Sequence, residues 1–162
     1  MDNRKEIRIT ELIISSKKRI NWSIVEQYLN KYDAKVFVVD ETNEKINIDK
    51  HFIDEYIGSK YTRSLKGTNA LVKANIPSIL EDIVKFAYNK RHLEDYNSKH
   101  KSFAKGGWNR YDSDIFMPVR NDKQEVIGYS KYNLTLVVRV TKDNKLYLYD
   151  IVNIKKETGN PL

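Results

Sequence analysis

The sequence predicts an α+β fold in which N-terminal helices pack on a C-terminal antiparallel β-sheet. Apolar residues from Leu71 to Ala87 recur at a spacing of three to four, the mark of one helix face. After Gly106-Gly107 the period changes to two, and long alternating runs follow. Connections of hairpin length join those runs, which fits antiparallel neighbours. Helix first and sheet last, in one chain of 162 residues, gives a single domain with helices layered on a sheet.

The elements follow in order. Residues 1–33 mix both periods through Ile7, Ile9, Leu12, Ile13 and Ile14. Asn21 is placed to cap a helix over residues 22–29, with Ile24, Val25, Tyr28 and Leu29 on one face. Residues 35–40, KVFVVD, form a short β-rich run, and the polar residues 41–49 read as a loop. Asp49 then caps a helix holding Phe52, Ile53, Tyr56 and Ile57, which stops at Gly58. A short helix over 69–75 precedes a longer one over 77–88. Pro77 sits in the first turn of the latter, where a missing N–H costs nothing. Residues 89–106 are polar and basic. Strands are expected over 108–119, 126–140 and 145–154, with turns at Asn121-Asp122-Lys123 and Asp143-Asn144. Alternation sends Leu134, Leu136, Val138 and Val140 one way, to be buried against Leu80, Ile83 and Val84. Lys131, Asn133, Thr135, Val137 and Arg139 point the other way, onto a face that reads as open.

Composition narrows the function. The formal charge is +7, and eleven tyrosines stand beside five phenylalanines. Residues 85–110 carry seven basic and two acidic side chains, so most of the excess charge lies in one segment. Positive charge attracts polyanions, and tyrosine rings stack on exposed bases, so RNA or single-stranded nucleic acid is the expected partner. A protein partner is the alternative. The absence of cysteine excludes a disulfide framework, a thiol nucleophile and thiolate-bound metal clusters. The first ten residues are too polar for a signal peptide, and no apolar run approaches membrane length, so an intracellular, non-membrane location is expected. No dinucleotide, P-loop, metalloprotease or nucleophile-elbow motif is present, and no cofactor or metal is expected.

What remains suits phosphoryl transfer in which RNA supplies its own 2′-hydroxyl nucleophile. Such a site needs a base, an acid and cations for the developing charge. His100, between Lys99 and Lys101, is the leading base; it reads equally as a solvated loop residue. His92, near Glu94 and Asp95, and His51 read as ordinary surface histidines. Arg110 either clamps a phosphate or pairs with Asp112 or Asp150. Lys131, Asn133, Thr135 and Arg139 form either a substrate platform or a plain solvent face. Tyr147 and Tyr149 either stack bases or pack with satisfied hydroxyls. Asp150, in an apolar strand, either orients a base or pairs with Lys155.

The C-terminal half also carries a family pattern: Gly107-Trp108-Asn109-Arg110-Tyr111-Asp112, then Pro118-Val119, then LYLYDI, IKKET and a closing Pro161-Leu162. With Tyr61-Thr62-Arg63-Ser64, Lys73-Ala74-Asn75 and Lys99-His100 upstream, residues 56–162 resemble a domain of the polyvalent proteins of phages and conjugative elements. Residues 1–55 resemble nothing recognised. Related phage-borne domains are similar to the barnase, EndoU, colicin and RelE nucleases. The resemblance implies N-terminal helices before a four-stranded antiparallel sheet, and metal-independent endoribonuclease activity in a host cell. It implies His100 as base or acid and Arg110 and Lys131 as phosphate cations. Thr135, Arg139 or Tyr149 would complete the hydrogen bonding. A non-catalytic module that counters a host defence system is the alternative it carries.

Overall fold

The computed structural model describes residues 5–94 and 104–158. The fold is α+β, with helices from the N-terminal half packed on a mixed sheet. Helix α1 (Trp22–Asn30) starts where Asn21 accepts the Ser23 N–H, and it buries Val25 and Leu29. Strands β1 (Val36–Val39) and β2 (Glu44–Asn47) form a hairpin, turned through Asn43 at φ +61°. Helices α2 (Lys50–Gly58) and α3 (Lys60–Ser64) are capped by Asp49 and Ser59. Helix α4 (Gly67–Asn75) runs through a 3₁₀ turn (Ile76–Ile79) into α5 (Leu80–Lys85). Four strands follow: β3 (Tyr88–Leu93), β4 (Trp108–Arg120), β5 (Val126–Val140) and β6 (Leu146–Lys156).

The six strands form one sheet in the order β1-β2-β6-β5-β4-β3. This corrects the antiparallel sheet confined to the last third. β2 lies parallel to β6, through Ile46 opposite Leu146 and Asn47 opposite Tyr147, and β1 and β2 come from the N-terminal third. Within residues 41–49 only Ile46 and Ile48 are apolar, so β2 shows too little alternation to announce itself. β3 is hidden for a related reason: its side chains are all half-buried or exposed, so no alternation is visible. The long helix expected over 77–88 is a 3₁₀ turn and six helical residues. Pro77 lies in the 3₁₀ turn, and the chain leaves helical geometry at Phe86 to begin β3.

One buried cluster draws on residues from Ile7 to Ile154 and includes Leu80, Ile83, Val84, Leu134, Leu136 and Val138. The N-terminal segment joins the sheet at Phe116, which exchanges backbone hydrogen bonds with Ile7 and Ile9. Asn75 clamps the segment further along: its Oδ1 accepts from the N–H groups of Ile13 and Ile14, at 2.6 and 3.0 Å, and its Nδ2 donates to Ile14 O.

β6 pairs with β2 over two residues only, so the rest of that edge needs other partners. Helices supply them. Tyr61 Oη accepts the Ile154 N–H at 2.8 Å, and Lys73 Nζ donates to Ile151 O at 2.6 Å. Lys73 also pairs with Asp150 Oδ1 at 2.6 Å, both side chains being almost wholly buried. Asp150 therefore neither orients a surface base nor pairs with Lys155. Burial lowers the Lys73 ammonium to about 8, against the pull of Asp150.

Lys73→Ala strands a buried carboxylate and is expected to cost about 3–5 kcal/mol in urea unfolding. Lys73→Met with Asp150→Asn should recover much of that loss. Lys73 holds its proton less tightly folded than unfolded, so its contribution to stability rises with pH between about 8 and 10.5. The double variant should lack that rise, and an unchanged pH profile would refute the assignment.

Candidate functional site

β2 and β3 are separated in the sheet order by β6, β5 and β4, yet their side chains touch. Lys90 Nζ lies 2.7 Å from Glu44 Oε2, and Tyr111 Oη donates to Glu44 Oε1 at 2.7 Å. The sheet must curl for this to happen. The curl leaves an open groove of about 970 Å³, lined by Glu44, Lys45, Lys90, His92, Asn109 and Lys145 among others.

The groove floor follows from strand alternation. Asn109 and Tyr111 share a face of β4 with Ser113 and Ile115, so they point toward the interior although both are polar. Register places His92 opposite Asn109, and His92 Nδ1 meets Asn109 Oδ1 at 2.6 Å. An amide oxygen only accepts, so Nδ1 carries the hydrogen and Nε2 keeps its lone pair in the neutral ring. Glu94 Oε1, 3.4 Å from Nε2, is placed to stabilise the ring once it takes up a proton. Asn109 Nδ2 donates to Tyr111 Oη at 3.4 Å. A continuous polar chain thus runs His92–Asn109–Tyr111–Glu44–Lys90 across the curled sheet.

The chain sets protonation states. Burial tends to raise Glu44, but hydrogen bonds, that from Lys90 foremost, outweigh it and hold the carboxyl below its usual value. Burial pushes the Tyr111 hydroxyl well up, with Glu44 adding to the effect, so it stays a neutral donor. Gly107 makes the β3–β4 approach possible. Its φ is +87°, and a Cβ there would stand 2.5 Å from Leu93 O and 3.1 Å from the His92 ring.

Of the residues nominated from sequence, Tyr147 lines the groove, whereas Arg110, Lys131, Thr135, Arg139 and Tyr149 do not. His100 lies outside the described residues. Arg110, Lys131 and Thr135 occupy the other face of β4 and β5, opposite Val137, Phe116 and Asp112 respectively. Six residues of extended strand separate the Arg110 and Lys131 positions, roughly 20 Å, so the two cannot clasp one phosphate. Lys131 pairs with Glu157 at 3.3 Å and Asp114 at 3.9 Å. Thr135 is buried, with Asn153 Nδ2 at 3.5 Å from its hydroxyl, and Val137 beside it is buried too, so this face is not open throughout. Tyr149 packs edge-on against Trp108 at 4.9 Å, and burial, then Glu55, pushes its hydroxyl up to about 12. Arg139 is held by Asp49 at 3.1 Å and lies over the Tyr147 ring. In the basic segment, Arg91 pairs with Asp112 and Lys90 with Glu44, which neutralises part of its charge.

Glu44, Asn109 and Tyr111 escaped the sequence reading because β2 and the curl were invisible in it. The available signal was the period-two pair Asn109 and Tyr111 inside the Trp108–Asp112 run, polar residues at core positions. Among the described residues no three histidine or carboxylate side chains gather as a metal site, and no helix is long and apolar enough to cross a membrane. Compared with protein families, curated sequences and solved structures, the chain matches none.

The His92–Asn109 contact fixes a tautomer, which long-range ¹H–¹⁵N NMR reads directly. The neutral ring should be Nδ1-protonated in the native chain, and Asn109→Leu should shift it toward the Nε2 form that free imidazole favours. Nε2 protonation in the native neutral ring would contradict the arrangement.

Proposed function

We propose that this chain is an RNA-binding domain with metal-independent endoribonuclease chemistry, and that the reacting groove is the one around His92. The observation that carries the reading is the oriented imidazole: Nδ1 is held by Asn109 while Nε2 faces a groove that also presents Lys90, Lys45 and Lys145. RNA brings its own nucleophile, so the protein needs only a placed base and positive charge. A ribose 2′-hydroxyl gives its proton to His92 Nε2 as its oxygen attacks the adjacent phosphorus. The bond from phosphorus to the 5′-oxygen breaks, and that oxygen takes a proton from solvent at the open mouth. The products are a 2′,3′-cyclic phosphate and a 5′-hydroxyl. The lysines offset charge on the phosphoryl oxygens, and ionised Glu44 holds Lys90 in place. The sequence resemblance to phage-borne nuclease-like domains supports the same class of reaction and a setting in a mobile element. A non-catalytic protein-binding module is the second reading. It rests on β1, a strand at the end of the sheet order whose Val36 and Val38 are 48% and 37% exposed.

Purified protein is incubated with mixed cellular RNA in EDTA. Cleavage leaving cyclic phosphate ends is expected, and His92→Ala should slow it roughly 100-fold, the usual worth of a placed base. His100→Ala, assayed beside it, separates the two histidines: loss there with full activity in His92→Ala takes the base role from His92 and gives it to His100. No cleavage by any version removes the nuclease reading, and capture of one host protein dependent on Val36 and Val38 would replace it.

A further inference from the structure

A second groove, of about 470 Å³, lies where the segment before α1 meets the α3–α4 junction. Lys17, Arg63 and Lys66 line it, and no acidic side chain does. Among the described residues none of the three forms an ion pair. The remaining wall includes the half-buried Trp22, with Ile20 and Leu65 beside it. The contrast with the His92 groove is chemical. There the cations alternate with Glu44 and Glu94; here positive charge is uncompensated and stands next to an indole.

We infer that this groove binds the backbone of a single-stranded nucleic acid, with Lys17, Arg63 and Lys66 on successive phosphates and Trp22 against a base. Three unpaired cations suit a linear polyanion, and an aromatic face beside them suits an unpaired base, which a duplex does not offer. A concave groove fits a strand better than a planar anionic lipid surface. The site is distinct from the His92 groove. Asn69, in the first turn of α4 beside Gly67 of this groove, reaches Ile154 O near the end of β6, whereas Tyr147 at the start of β6 lines the other. The seven residue steps from Tyr147 to Ile154 span roughly 23 Å of strand. The inference rests on the nucleic-acid half of the reading above and not on its chemistry.

The probe is a single-stranded oligothymidine of about twelve nucleotides, a length within the usual range for such sites. It has no 2′-hydroxyl, so binding is read without cleavage. Affinity is measured from low to moderate salt for the full chain, for Lys17→Ala/Arg63→Ala/Lys66→Ala, and for a control triple, Lys35→Ala/Lys123→Ala/Lys142→Ala, that removes equal charge from exposed positions elsewhere. Matched thermal unfolding confirms that each variant folds. The groove variant should bind at least about tenfold more weakly, and its slope of log affinity against log salt should fall by about 2, from three lost phosphate contacts. In a Trp108→Phe background, Trp22 emission should be quenched on binding. Equal losses in the two triples, an unchanged salt slope, unquenched Trp22, or a preference for anionic vesicles over the strand each overturn the site. Loss of RNA cleavage with this binding intact would remove the nuclease reading alone.

Discussion

The buried pair of Lys73 and Asp150 decides how the helices meet the sheet. An ammonium with no exposure must have every hydrogen placed. Lys73 gives one to Asp150 and one to Ile151 O, and its charge rests 4.1 Å from the centre of the Tyr56 ring. Tyr56 in turn donates its hydroxyl to the Lys73 carbonyl, and Asp150 also accepts the Ile151 N–H. Residues of α2, α4 and β6 are thereby fixed to one another. Such a pair adds little over well-packed aliphatic groups, because desolvation offsets most of the attraction. Its contribution is positional. An aliphatic contact tolerates sliding by an ångström, whereas two hydrogen bonds of 2.6 Å from one nitrogen do not. The pair also satisfies a carbonyl on the open side of β6, which would otherwise be a sheet edge.

The curl of the sheet repeats this logic with more exposed groups. Glu44 at one side receives Tyr111 and Lys90 from the other, so two distant strands share one carboxylate. A carboxylate so bonded costs less to bury, and its ionisation strengthens both donors. The same bonds that close the sheet therefore orient Asn109 and, through it, His92. Structure and candidate chemistry are inseparable at this point: Tyr111 is both a core side chain and a member of the polar chain. Polar residues at core positions of β4 are a local departure from consistent patterning, of the kind that marks functional sites.

The parts legible in sequence are those with a local physical signature. The caps at Asn21 and Asp49, the stop near Gly58 and the long alternation of β5 all depend on neighbours in the chain. β2 and β3 depend on distant partners, with one core isoleucine in β2 and none in β3, so their alternation is too weak to read. The candidate site failed to emerge for the same reason. His92 next to Glu94 is unremarkable as text; its ring is oriented only because register sets Asn109 opposite it. Arg110, Lys131, Thr135 and Tyr149 share the right residue types, but six residues of strand and the ion pairs of Lys131 keep them from acting on one group.

Charge is segregated in a way that the total of +7 conceals. Around the His92 groove several cations are answered locally: Lys90 by Glu44, Lys145 by Asp143 at 4.0 Å and, on the neighbouring face of β3, Arg91 by Asp112. Such a surface holds shape and protonation state but attracts a polyanion weakly, since paired charges cancel beyond a few ångströms. Among the described residues Lys17, Arg63 and Lys66 are not cancelled in this way. They keep a field that reaches out to about a Debye length, near 8 Å at physiological salt. Attraction and chemistry then make opposite demands on a side chain: the first needs a bare charge, the second a charge held by partners in one geometry. A chain that performs both does better to separate them, and the function proposed above would place one toward each end of β6.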